Sequence, residues 1–148
     1  MILETITANG YIYLFLLSFL AATLIPLGSE WLLATLMVQG LDPTLLLVSA
    51  TAGNVLGACT TFAIGLAGGT WCMEKLLRMD EKTRSRAERI YAKYGSLSLL
   101  FSWIPIIGDP LCLVGGLFRI GFARFATLVL VGKLARYTVV ILGVQQCL

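Results

Sequence analysis

The chain has 148 residues, of which 58% are hydrophobic and 13% charged, with a formal net charge of +3; its mean hydropathy is +0.89. A soluble domain runs about 45–50% apolar and about 25% charged, so these figures exclude an ordinary soluble fold and a disordered chain alike. Histidine is absent, which removes His-based triads, Cys–His dyads and His-ligated metal sites. No cofactor and no metal are expected, since Cys59, Cys72, Cys112 and Cys147 form no CxxC pair. The cysteines read as small hydrophobes, with an interhelical disulfide as the alternative.

In chain order, residues 11–38 are apolar but broken in the middle by Pro26-Leu27-Gly28-Ser29-Glu30. Irregular backbone with an acid at mid-depth does not continue a lipid-facing helix. Two half-helices joined by a turn predict a re-entrant hairpin; the competing reading is a kinked full span. No basic region precedes this run, so a cleavable signal peptide is not expected. Residues 43–73 carry no charge and exceed the roughly 20 residues a span needs. They predict a transmembrane helix whose small residues, among them Gly53, Gly57 and Gly65, permit close packing. Residues 74–93 gather seven Lys/Arg against four acids. Within residues 74–95, Asp80 is a fair N-cap and Gly95 a helix stop. Ala87, Ile90, Tyr91 and Tyr94 form one apolar stripe, which fits an amphipathic cytoplasmic helix lying on an anionic leaflet; the alternative is a plain positive-inside loop, which explains the charges without a lipid site. Nucleic acid is excluded as a partner, because these charges sit between membrane segments.

Residues 96–118 repeat the broken pattern, with Pro105, Gly108, Asp109 and Pro110 at the break. Residues 125–147 have the length of a second span and carry Lys133 and Arg136 three apart, on one face. Residues 1–73 contain no Lys or Arg, whereas Arg119 and Arg124 follow the second broken stretch. By the positive-inside rule, residues 74–95 and the Arg119/Arg124 junction both face the cytoplasm. The stretch between them then enters and returns on one side. Both termini are expected outside. The fold class is therefore an all-α integral membrane protein with hairpin, span, amphipathic cytoplasmic helix, hairpin and span in a single domain over residues 1–148.

A weak internal repeat agrees with this order. Pro26 and Pro105, Glu30 and Asp109, and Gly53 and Gly132 each stand 79 residues apart. An odd number of crossings per copy inverts the second, and inverted repeats with broken helices are a transporter architecture. Lys133 and Arg136 lie about 13 and 18 Å beyond Arg124 at 1.5 Å per residue, near the middle of a ~30 Å core. Leaving such a charge unpaired costs at least ~2.5–3.5 kcal/mol. Glu30 and Asp109 at the breaks are the acids able to neutralise them. Either these four are interhelical ion pairs and nothing more, or they line a site where Lys133 and Arg136 hold an anionic head group. In the second case Glu30 or Asp109 tunes the cations or carries protons. Asn54 takes the place of Lys133 in the first copy and is a candidate lining residue.

Pro26-Leu-Gly-Ser-Glu30, Gly53-Asn54-x-x-Gly57, Ser102-Trp-Ile-Pro-Ile-Ile-Gly-Asp-Pro110, Gly115-Gly116 and Gly132-Lys-x-x-Arg136-Tyr137 together resemble the YqaA-like branch of the DedA superfamily, the SNARE-associated Golgi or VTT-domain proteins. The resemblance covers nearly the whole chain. It implies a multi-pass bacterial inner-membrane protein with two opposed re-entrant hairpins that moves lipid: bacterial relatives are linked to flipping of undecaprenyl phosphate and to envelope homeostasis, eukaryotic ones to phospholipid scrambling. Glu30 matches the family acid of the first hairpin. The better-studied branch has arginines where this chain has Ser102 and Gly108, so the substrate stays open. The expected function is lipid transport rather than enzymatic chemistry, with membrane lipids and protons as partners and a second copy of the chain left open. A non-transporting scaffold or lipid-sensing protein is the alternative.

Overall fold

The structure is a computed structural model that describes residues 2–23, 28–75, 80–104 and 107–147. Pro26 and Pro105, at the two expected breaks, lie outside the described residues, as does the Cys72 side chain. The described residues form α1 (Ile2–Thr23), α2 (Ser29–Val38), α3 (Pro43–Lys75), α4 (Glu81–Tyr94), a 3-10 helix (Gly95–Trp103), α5 (Gly108–Leu117) and α6 (Phe122–Cys147), with no strand among them. Two segments, Pro43–Gly68 and Phe122–Cys147, are long and apolar enough to cross a membrane.

Glycines decide how closely α3 is approached. Gly53 and Gly57 face the carbonyls of Phe15 and Phe19 in ascending order, so α1 runs parallel to α3. A Cβ at either glycine would collide with that backbone. Thr61 seals the contact by donating its hydroxyl to the Ala22 carbonyl at 3.0 Å. On another face of α3, Gly65 meets the Leu113 carbonyl and Gly116 meets the Phe62 carbonyl, so α5 runs antiparallel to it. The small residues thus serve backbone-to-backbone packing, which in lipid does the work that water exclusion does in soluble cores.

α2 turns back along α1. Leu36 and Leu41 pack against Gly10, and the Asp42 N–H donates to the Tyr11 hydroxyl at 3.1 Å. α1 itself begins at Ile2 rather than near Tyr11, because nothing in residues 2–10 stops a helix and Gly10 is used for contact with α2. The first half of the second broken stretch is a nine-residue 3-10 helix rather than an α-helix. Runs beyond 3–4 residues are uncommon for this form. At about 2.0 Å per residue it reaches about 18 Å, against about 13.5 Å for α-helix of the same length. α5 folds back on it, with Gly108 against the Ser102 carbonyl and Leu99 beside Gly115.

α4 has the expected caps. The Asp80 carboxylate accepts from the Thr83 N–H, and Gly95 ends the helix at φ 61°. The Thr83 hydrogen bond holds the Asp80 carboxyl below its usual value of 3.8. The apolar stripe, however, faces the protein: Ala87 is buried, and Ile90 and Tyr91 pack on the core. Tyr94 stays exposed. The stripe is therefore spent on the second half of the molecule instead of being left for the leaflet.

Buried side chains form two apolar clusters. One joins Leu14, Leu33, Leu36, Met37, Leu46, Ala50, Tyr137 and Ile141. The other joins Ala58, Phe62, Ala87, Leu99, Leu111, Cys112, Val114, Phe125 and Val129. On α3 one turn separates Ala50 from Asn54 and another separates Asn54 from Ala58. On α6, Lys133 and Arg136 stand between Val129 and Ile141. The polar residues fall where these helices pass between the clusters.

Candidate functional site: a charged layer between two apolar clusters

α6 supplies both bases of this layer. Gly132 lets the 3-10 helix come close, the Leu100 carbonyl and Ser102 Oγ lying 3.0 and 3.1 Å from where its Cβ would be. Lys133 follows directly and is 1% exposed. Its Nζ donates to Asp109 Oδ1 at 3.1 Å. Asp109 stands in the first turn of α5, where a carboxylate also suits the positive end of the helix dipole. Buried Pro110 follows; having no N–H, it leaves no donor unpaired at a helix start.

One turn along α6, Arg136 pairs with Glu30. Glu30 stands in the first turn of α2, so the two acids occupy matching places at the two breaks. The pairs differ in exposure. Asp109 is 32% exposed beside its buried lysine, whereas Glu30 and Arg136 are both about one-fifth exposed.

Tyr137, fully buried, ties this arrangement to the rest of the fold. Its hydroxyl is 2.6 Å from Ser29 Oγ and accepts from Asn54 Nδ2 at 3.0 Å. One phenol thus joins α2, α3 and α6 at the residue before Glu30. Ser18, Thr51, Ser98 and Ser102 hydroxyls and the Asn54 Oδ1 are buried with no hydrogen-bond partner among the described residues. Unpaired polar groups in a low-dielectric interior are costly, so these atoms are available to a polar ligand or to water.

The structure brings together Glu30, Asp109, Lys133, Arg136 and, through Tyr137, Asn54. Gly28 is exposed and extended ahead of α2; Gly108 is buried on the Ser102 carbonyl. Arg119 and Arg124 stand apart, exposed around the α5–α6 turn. Sequence reasoning missed Ser29 and Tyr137. The signal was present: Tyr137 adjoins Arg136 in an apolar helix, and a buried tyrosine needs a partner for its hydroxyl.

The chemistry follows from the balance. Two acids and two bases make a neutral layer, and such pairing is what keeps charge tolerable in an apolar interior.

Comparison with known proteins shows the family. The VTT domain matches residues 25–146. The chain is 37% identical over 134 residues to the inner membrane protein YqaA of Escherichia coli (strain K12), covering 90% of this chain and 89% of that one. An uncharacterized protein of Haemophilus influenzae is 34% identical over 138 residues, 88% of this chain and 84% of the relative. One of Methanocaldococcus jannaschii is 29% identical over 142 residues, 95% and 88% respectively. No solved structure matches. With its two candidate spans, its charged layer and a VTT domain over most of its length, the chain belongs to the VTT-domain (DedA) family of membrane proteins.

Proposed function

We propose that this protein is an inner-membrane lipid transporter or flippase, not an enzyme. It binds an anionic head group, of a polyprenyl phosphate or a phospholipid, in the charged layer and so supports envelope homeostasis. The observation that carries this reading is the position of the two ion pairs. Both acids sit at chain breaks, both bases sit on adjacent turns of α6, and apolar clusters close the layer on either side. Lys133 and Arg136 hold the head group; Glu30 or Asp109, released from its base, takes up a proton, which couples transport to protons.

The folding back of α2 on α1 and of α5 on the 3-10 helix supports two re-entrant hairpins in the bilayer. The pattern of contacts between elements also supports an inverted repeat. α1 on α3 corresponds to the 3-10 helix on α6, and α5 on α3 corresponds to α2 on α6. The distribution of Lys and Arg supports a cytoplasmic α4 with both termini outside. One fact favours the scaffold alternative: each charge already has a partner, as a purely structural pair would.

The test is movement of fluorescent anionic and zwitterionic lipids in proteoliposomes. Wild type moves lipid, and Glu30→Gln and Arg136→Gln, folded, do not. Wild type that moves none of the lipids, with or without a pH gradient, overturns the reading.

A further inference from the structure

A second feature lies at the basic end of the molecule, away from the charged layer. α5 ends at Leu117, and the chain reverses through Arg119 into α6. Arg119 has φ 51°, and no other described non-glycine residue has a positive φ. Its N–H donates to the Gly116 carbonyl and the Ile120 N–H to the Gly115 carbonyl. This is the helix stop that glycine normally fills, and any other residue there is strained. An arginine in this place keeps a charge where the backbone favours none.

What surrounds it is equally specific. Phe118 stacks on Tyr91 of α4, with ring centroids 4.8 Å apart and planes within 7°, yet it is 59% exposed. Phe122 is 58% exposed. Arg119 and Arg124 are exposed beside them; burial pushes the Tyr91 hydroxyl's pKa up, against the opposing pull of the Arg124 charge. The acid on this side of α4 is Glu88, half-buried one turn before Tyr91. Exposed Lys82, Arg86, Arg89 and Lys93 extend the positive field along α4. Because the apolar stripe of α4 is already covered, that helix offers charge rather than an insertion face.

We propose that Phe118, Arg119, Phe122 and Arg124, backed by Tyr91, form a binding site for one anionic lipid of the surrounding leaflet. The guanidinium groups take the phosphate, for which their planar fork of donors is suited. The two rings lie at the level of the head group and upper acyl chain, where aromatic residues concentrate. The site is separate from the charged layer and does not depend on transport.

The test uses the full chain in uncharged detergent, exposed to phosphatidylglycerol or phosphatidylcholine. Bound lipid is counted by native mass spectrometry, and thermal unfolding is followed alongside. Wild type retains phosphatidylglycerol in preference. Arg119→Gly removes the charge while relaxing the backbone, so the fold persists and the preference falls roughly fivefold. Arg124→Gln lowers it by a similar factor, and the double variant lowers it further. On an Arg136→Gln background, where the charged layer no longer contributes, Arg119→Gly and Arg124→Gln lower the preference by the same factors. No preference in wild type, an unchanged preference in the double variant, or no fall on the Arg136→Gln background overturns the proposal.

Discussion

The two ion pairs of α6 are one turn apart and chemically alike, but their surroundings differ. Lys133 is sealed at 1% exposure, and its acid reaches outward. Arg136 and Glu30 are both partly exposed, and their chain neighbours Tyr137 and Ser29 share a hydrogen bond between the same two helices. The first pair is marked by burial of its base and the second by this neighbouring tie between α6 and α2. Two charges in the same helix thus carry different penalties when a partner is lost, and the difference is measurable.

The largest effect is expected from Asp109→Asn, which strands a buried ammonium. Breaking a buried pair from one side costs ~3–5 kcal/mol. Lys133→Met leaves a less buried aspartate, which becomes neutral by taking up a proton, and costs clearly less. Denaturant unfolding in detergent checks this, and equal losses would break the contrast. Tyr137→Phe comes next, at about 1–3 kcal/mol, because it orphans Ser29 Oγ and Asn54 Nδ2. Faster amide exchange at the start of α2 should accompany it. Glu30→Gln follows at about 1–2 kcal/mol, since the amide oxygen can still accept a hydrogen bond from Arg136. If Glu30→Gln instead costs more than Asp109→Asn, burial does not rank the pairs. The smallest effect is at α4. Asp80 is depressed below 3.8 by the Thr83 hydrogen bond. Its contribution is complete above the unfolded value and is lost as pH falls through the lower folded one. Asp80→Ala should remove that acid-side loss of α4 helicity, read by circular dichroism, without changing lipid movement.

The spans and α4 were legible because each carries a local signal: uninterrupted apolar length, an Asp80 cap and a Gly95 stop. The four layer residues were legible because ionisable groups in apolar runs are conspicuous. Their pairing was not. Spacing puts Lys133 and Arg136 on one face, but only the packing of α5 and α2 against α6 assigns Asp109 to one and Glu30 to the other. Tyr137 joins three elements distant in sequence, so no local pattern reveals it. The 3-10 helix was hidden as well, since residues 95–103 are uniformly apolar with scattered serines and show no period. The stripe on α4 announced an amphipathic helix without saying what it faces, and the protein won over the leaflet.

The double variant Lys133→Met with Asp109→Asn puts the central claim to its most direct test. It removes one pair without leaving a charge unpaired. Lipid movement in proteoliposomes and unfolding should be measured on the same preparation. The account predicts a protein about as stable as wild type that moves no lipid. A variant that folds and moves lipid at the wild-type rate would contradict it, and would reduce the Lys133–Asp109 pair to a structural tie.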